Sequence, residues 1–127
     1  MHKSRLAGFI IDCQTSDLEP AAQFWSAALG YALRNLSEEA SPKYREMLTG
    51  PDGLHLEVQQ VDHPSRLHLD IESDDIEAEV LRLEALGAKR VEKGQRWWIL
   101  EAPTGQRFCV VRPQNLEAFS ERANVWK

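Results

Sequence analysis

A strand–helix–strand pattern that occurs twice in the chain constrains its fold more than any other feature. The clearer copy covers residues 66–91, RLHLDIESDDIEAEVLRLEALGAKRV. Polar and apolar residues alternate over 68–72, which predicts a strand with one polar face. Gly87 then stands where a helix end favours a residue that can adopt positive φ. Between the strand and Gly87, apolar residues recur at the spacing of a helix, at Ile76, Val80, Leu83 and Leu86.

Both predicted helices begin with residues that can cap free backbone amides. Asp74 and Glu77 have the spacing of a capping box in the second copy, and Ser16 and Glu19 have it in the first. Gly30 ends the first helix as Gly87 ends the second. The two copies therefore carry the same signals for the residues at which a helix begins and ends.

The order of predicted elements is the same in the two halves. Module one, about 6–61, has a strand at 6–13, a helix ending at Gly30, and strands at 31–36, 44–49 and 54–61. Module two, about 66–112, has a strand at 67–72, a helix at 75–86, and strands at 88–93, 96–101 and 106–112. The residues at 113–127 form a C-terminal extension, in which 115–122 predict a short helix. We therefore expect a single α+β domain over 1–127, built from two tandem βαβββ modules. A ferredoxin-like sheet is the alternative, which the extra strand per repeat disfavours.

Composition excludes several classes of protein. The chain has 127 residues and 43% hydrophobic residues, which is typical of one globular domain. Its net charge of −5 argues against nucleic acid as the main partner and leaves local basic patches open. No apolar run approaches the roughly 20 residues that span a bilayer, and no export signal is recognisable at the start. We therefore expect a cytoplasmic protein, with Cys13 and Cys109 as free thiols in a reducing compartment.

The repeated pattern resembles the glyoxalase/bleomycin-resistance/dioxygenase superfamily, whose members are also called vicinal oxygen chelate proteins. The resemblance covers roughly 6–112 and rests on DLEPAAQFWSAALGY, HLDIESDDIEAEVLRLEALGA and APTGQRFCVVRP. Within that superfamily the chain is most similar to the uncharacterised glyoxalase-like domain group. The resemblance implies that eight mostly antiparallel strands curve into a bowl with the helices outside, and that the protein forms a homodimer.

The resemblance also implies where a metal would bind. The four inward positions that carry metal ligands in the superfamily correspond here to Gly8, Glu57, His68 and Cys109. His68, Glu57 and Cys109 are then candidate ligands for a divalent Zn, Ni, Co, Mn or Fe ion. Gly8 offers no side chain, and Cys109 replaces the usual carboxylate. The incomplete set favours a protein without a metal.

Other polar and aromatic residues are candidates for ligand binding in the same cavity. Glu57 is the candidate catalytic base, although an ordinary salt bridge with Arg107 would also explain it. His68 could instead be a hydrogen-bonded pocket histidine. The candidate ligand-binding residues are Asp12, Asp70, Trp97, Trp98 and Arg107.

Three functions are compatible with these residues. The first is a glyoxalase-like lyase or isomerase that binds a small molecule in the polar bowl, with a metal or another positive group stabilising an oxyanion. The second is a non-catalytic protein of the bleomycin-resistance type, which sequesters its ligand. The third is metal-free catalysis in the same bowl. We favour a small-molecule-binding protein, because the ligand set for a standard metalloenzyme is incomplete.

Overall fold

The computed structural model describes residues 1–37, 41–51 and 53–127. Within these ranges the chain forms three helices and eight strands, with both parallel and antiparallel strand pairs, which confirms the α+β class. None of the helices in the described ranges has the length and apolar character needed to cross a bilayer. In chain order the elements are β1 (His2–Gln14), α1 (Leu18–Leu29), β2 (Tyr44–Met47), β3 (His55–Val61), β4 (Arg66–Ser73), α2 (Ile76–Ala85), β5 (Lys89–Lys93), β6 (Trp98–Glu101), β7 (Arg107–Val111), α3 (Leu116–Arg122) and β8 (Asn124–Trp126).

The chain divides into two compact units. The N-terminal unit is Gly8–Leu67, and the C-terminal unit combines Met1–Ala7 with His68–Lys127. Strand β1 contributes its first part to the C-terminal unit and its second part to the N-terminal unit.

The N-terminal unit contains strands in the order β2-β3-β1, with β2 antiparallel to β3 and β3 parallel to β1. Helix α1 packs on β2 and β3. Alternation along β1 and β3 directs one set of side chains towards α1, and these form an apolar core. The core residues are Ile11, Cys13, Leu18, Ala22, Met47 and Val58.

The C-terminal unit contains strands in the order β4-β7-β6-β5, with β4 parallel to β7 and the other neighbours antiparallel. Helix α2 packs on β5 and β7 over a core of Val80, Leu83, Leu100 and Val110. Strand β8 pairs antiparallel with the start of β1. The predicted βαβββ order is therefore complete in the second repeat, and the predicted C-terminal helix is confirmed as α3.

One predicted strand and two predicted caps differ from the structure. The strand expected over 31–36 is reduced to a single bridge between Leu33 and Met47, because only a short stretch reaches β2. The cap of α1 is Asp17 instead of Ser16, and the cap of α2 is Asp75 instead of Asp74.

The displaced cap residue of α2 has another partner in the fold. Asp74 accepts a hydrogen bond from the Lys3 amide at 2.8 Å, while Asp75 accepts one from Ala78 at 3.0 Å. Gly30 and Gly87 both adopt positive φ, as their positions after the helices predict.

Candidate functional site

A polar cluster lies on one face of the β2–β3 hairpin in the N-terminal unit. His55 and Glu57 alternate along β3 with Leu56 and Val58, which pack in the core. The antiparallel register places Glu46 of β2 opposite Glu57. The local sequence thus brings two carboxylates and an imidazole to the same side of the hairpin.

These groups form a chain of contacts. Nε2 of His55 lies 2.9 Å from Oε2 of Glu57, a distance at which the ring N–H donates to the carboxylate. Nδ1 of the same ring lies 3.7 Å from Oε2 of Glu46. Arg34 in turn donates to both carboxylate oxygens of Glu46, at 3.0 and 3.3 Å. His55 is therefore held between two carboxylates, and Glu57 is oriented by its ring.

A small polar pocket opens beside Glu57. Its volume is about 270 Å³, and its lining includes Arg34, Tyr44, Glu46 and Glu57. We name it the Glu57 pocket. The side chain of Glu57 is only 16% exposed, so it is partly shielded from water yet borders the pocket. These are suitable surroundings for a carboxylate that transfers a proton.

Gly8 lies beside this cluster, in the β1 position directly opposite His55. A Cβ atom on Gly8 would lie 1.8 Å from the backbone oxygen of His55. No side chain fits there without displacing β3. Gly8, which the resemblance aligned with the first metal-ligand position, is therefore glycine for a steric reason.

A second cluster, in the C-terminal unit, consists of His68, Asp70 and Cys109. His68 and Asp70 are two residues apart on β4, and the parallel register places Asp70 opposite Cys109 on β7. One ligand atom from each of the three half-buried residues lies within 4.8 Å of the others. Their neighbours Ile71, Phe108 and Val110 pack against α2 or in the core beneath it, so the cluster lies on the opposite, polar face of the strands.

This donor set fits a divalent ion. Imidazole, carboxylate and thiolate are all zinc ligands, and three protein ligands with one open position are typical of catalytic zinc sites. Oδ1 of Asp70 is buried and forms no hydrogen bond within the described ranges, with Nε2 of His68 3.5 Å away. Three residues of the chain therefore form a candidate metal site.

Of the predicted ligands, His68 and Cys109 are brought together, and Glu57 belongs to the N-terminal unit. Asp70 was predicted to bind ligand, and the sequence pattern gave no reason to add it to the metal set.

The other predicted ligand-binding residues have ordinary contacts. Trp98 packs against the core of the C-terminal unit, with the guanidinium carbon of Arg90 4.9 Å from its ring centroid. Trp97 is exposed. Nε of Arg107 lies 3.3 Å from Oε1 of Glu101, so Arg107 has its own ion pair. Their roles in ligand binding stay predictions.

Asp12 borders a different pocket of the N-terminal unit from the one beside Glu57. Its side chain is 1% exposed, and Oδ2 lies 3.6 Å from Nε of Arg66. Sequence reasoning did not select Arg66, because a single arginine between two modules carries no motif.

The fold and these polar clusters define a class of protein, a duplicated α+β domain with polar strand faces. The glyoxalase-like domain family matches the chain over residues 8–111, so the chain belongs to this family. The chain is therefore also a member of the vicinal oxygen chelate superfamily, as its sequence predicted. No curated protein matches the chain significantly in sequence.

Several solved structures are similar to the chain in fold. The methylmalonyl-CoA epimerase from Mycobacterium tuberculosis is 20% identical, with a TM-score of 0.56, and the match covers 89% of this chain and 90% of that chain. The Mn(II)-bound glyoxalase from Novosphingobium aromaticivorans is 17% identical, with a TM-score of 0.58, over 88% of this chain and 40% of that chain. A glyoxalase/bleomycin resistance protein/dioxygenase superfamily member from Vibrio splendidus 12B01 is 14% identical, with a TM-score of 0.54, over 87% and 99%. At these identities the likeness is one of fold.

Proposed function

We propose that this chain is a small-molecule-binding glyoxalase-like protein that acts as a lyase or isomerase, with Glu57 as the group that transfers a proton. The observation that carries this proposal is the 2.9 Å contact between Glu57 and His55 at the edge of the Glu57 pocket. A carboxylate that is shielded, oriented and open to a pocket has the properties of a general base.

The chemistry follows from the contacts of Glu57. His55 holds Oε2, which leaves Oε1 to accept a proton from a carbon next to a carbonyl group. The electron pair of the broken C–H bond then forms an enolate, and protonation of that carbon on the opposite face inverts it, which is isomerisation. Arg34 lines the same pocket and carries a positive charge that can stabilise the enolate oxygen.

Exchange of substrate protons with solvent tests this proposal without a known product. The protein is incubated in D₂O with a panel of carbonyl compounds that have an acidic α-hydrogen, including methylmalonyl-CoA, because several of the similar solved structures are methylmalonyl-CoA epimerases. Mass spectrometry measures deuterium uptake. We expect the native protein to exchange at least one compound, and Glu57→Gln to lower that rate by about a hundredfold or more.

The control is Glu92→Gln, which removes an exposed carboxylate in the C-terminal unit and should leave the rate unchanged. Equal exchange by Glu57→Gln and native protein would remove Glu57 from the mechanism. Tight binding of a compound without exchange would instead support the sequestering function of the bleomycin-resistance type.

A metal-dependent form of the same function is favoured by the cluster of His68, Asp70 and Cys109. A divalent ion held by these residues would supply a Lewis acid that polarises a carbonyl oxygen. In this form His68 and Cys109 retain the ligand roles that the superfamily pattern implies, and Asp70 completes the set.

Thermal unfolding with added Zn, Ni, Co or Mn tests the metal. An ion that binds only the native state at a hundredfold excess over its dissociation constant adds about 2.7 kcal/mol to the free energy of unfolding. We expect this gain in native protein and its loss in His68→Ala and Asp70→Asn, with His63→Ala as the control for surface histidines. A metal response that is unchanged in the His68 and Asp70 variants would exclude this cluster, and a response lost in Glu57→Gln would add Glu57 to it.

The expected homodimer and the cytoplasmic location belong to the same proposal. Phe24 on α1 is 62% exposed, which leaves apolar surface for an isologous contact. Cys13 and Cys109 are both free thiols, as a reducing compartment requires. Sedimentation equilibrium of the purified chain tests the dimer.

A further inference from the structure

A second pocket in the N-terminal unit shares no lining residue with the Glu57 pocket. Its volume is about 590 Å³, within the range of about 300–1,000 Å³ that small-molecule sites occupy. It lies where α1, β1 and β3 meet the chain just before the C-terminal unit. Six apolar side chains form most of its lining: Phe9, Ile11, Trp25, Leu29, Leu56 and Leu67.

Two of these apolar side chains are partly exposed to water. Leu67 is 56% exposed and Leu29 is 44% exposed, although both border the pocket. A ligand with a hydrocarbon part would remove this surface from water, which is favourable by about 25 cal/mol per Å².

The side chain of Cys13 is an uncharged part of the pocket lining at neutral pH. Burial raises the pKa of the Cys13 thiol, and the negative charge of the adjacent Asp12 raises it further. The thiol therefore stays protonated and acts as an apolar wall.

The positive group at the pocket is Arg66. Its side chain is 46% exposed, and its contact with Asp12 is made through Nε at 3.6 Å. Within 1–37, 41–51 and 53–127, the structure gives the guanidinium no other ion pair or hydrogen bond. The edge formed by Nη1 and Nη2 is thus available, and two parallel N–H groups match the two oxygens of a carboxylate.

We infer that this pocket is a second binding site, which takes a small apolar monocarboxylate whose hydrocarbon part lies against Trp25 and Leu56 and whose carboxylate binds Arg66. Asp12 holds the Nε side of the guanidinium and orients the opposite edge for the ligand. The site differs from the Glu57 pocket in both its residues and its ligand.

A series of straight-chain acids tests the two halves of this site. Isothermal titration calorimetry is carried out with butyrate, hexanoate and octanoate, and with octan-1-ol as a neutral compound of similar length. We expect affinity to rise by about threefold to fourfold for each added methylene, because each is buried. Octan-1-ol should bind at least about tenfold more weakly than octanoate, because it cannot form the charged pair.

Two matched arginine variants locate the carboxylate. Arg66→Gln should weaken octanoate binding by about tenfold or more, while Arg96→Gln, an exposed arginine of the C-terminal unit, should leave it unchanged. Circular dichroism checks that both variants fold. The comparison of octanoate with octan-1-ol needs no variant, so it tests whether a cation recognises the carboxylate even if Arg66→Gln does not fold.

Other outcomes would overturn the inference. Equal binding of octanoate and octan-1-ol would show that no cation recognises the ligand. Binding of octanoate that survives in Arg66→Gln would place the carboxylate elsewhere. No binding of any acid, together with a dimer that dissociates in Leu67→Asp, would identify the pocket as part of a contact between two copies of the chain.

Discussion

A single glycine fixes the spacing of the strands beside the candidate catalytic residue. Gly8 pairs with His55 in the parallel β1–β3 ladder, and a Cβ atom at Gly8 would lie 1.8 Å from the His55 carbonyl oxygen. His55 is the residue that orients Glu57. The absence of a side chain at position 8 therefore allows the close packing of β1 on β3 at His55.

Gly8→Ala should destabilise the protein through this close approach. We expect a loss of about 1–3 kcal/mol in the free energy of unfolding, measured with urea, because β1 and β3 must separate to admit the methyl group. Gly105→Ala is the control, since Gly105 has a φ of 93° and open space around its Cβ position. That control should lose only about 1–2 kcal/mol, from backbone strain alone. If Gly8→Ala proves as stable as the native protein, the two strands do not approach as closely as described.

A buried carboxylate on helix α2 anchors the helix to the strands, and the apolar pattern of the helix does not predict this residue. Glu79 is fully buried, and both of its oxygens accept hydrogen bonds at 2.8 Å, from His2, from the Ser4 hydroxyl and from Arg82. The guanidinium carbon of Arg82 lies 3.8 Å from the centre of the Trp126 ring. One acid on α2 thus ties the helix to β1 and β8.

Glu79 should make the stability of the protein depend on pH. Burial raises the pKa of Glu79, but hydrogen bonds from Arg82, His2 and Ser4 outweigh it, and the pKa lies below the ordinary value of 4.5. A lowered pKa stabilises the native state above the unfolded-state pKa, and this stability is lost as the pH falls through the folded-state pKa. At neutral pH we expect Glu79→Gln to lower the free energy of unfolding by about 2 kcal/mol, because the partly buried guanidinium of Arg82 would lose its carboxylate partner.

Urea unfolding of both proteins from pH 7 to pH 3 measures this effect. The difference between native protein and Glu79→Gln should shrink below about pH 4.5, as the native carboxyl becomes protonated. Glu121→Gln, which changes an exposed residue of α3, should show no such difference. A difference that stays constant over the whole range would mean that the charge of Glu79 contributes nothing.

At the scale of the whole molecule, local sequence patterns predicted the helices and strands. The residues that meet in the candidate sites depend instead on how distant strands pair. The glycine stops and the α+β class follow from periodicity and are confirmed. The predicted βαβββ order is complete in the second repeat, and the first repeat lacks the strand expected over 31–36. Both caps were wrong by one residue. In α2 the run Ser73-Asp74-Asp75 offers adjacent candidates, and the contact of Asp74 with Lys3 leaves Asp75 as the cap.

The candidate sites required information that no local pattern contains. Asp70 meets Cys109 only because β4 and β7 pair in one particular register, and alternation leaves that register open. Arg66 meets Asp12 in the same way, through residues that are distant in sequence. The charged residue Glu79 was missed for a related reason, since two of its partners, His2 and Ser4, lie more than seventy positions away in sequence.

The parallel strand pair in each unit has a consequence for the speed of folding. Gly8 pairs with His55 and Leu69 pairs with Phe108, so each parallel ladder joins residues roughly forty to fifty positions apart. Closing such loops loses chain entropy before any contact repays it, whereas the helices and the β2–β3 and β5–β6 hairpins need only near neighbours. In stopped-flow refolding, helix and hairpin signals should therefore precede the slower step in which β1 finds β3 and β4 finds β7. Until β4 finds β7, the cluster of His68, Asp70 and Cys109 does not exist, because Asp70 and Cys109 meet only across that ladder.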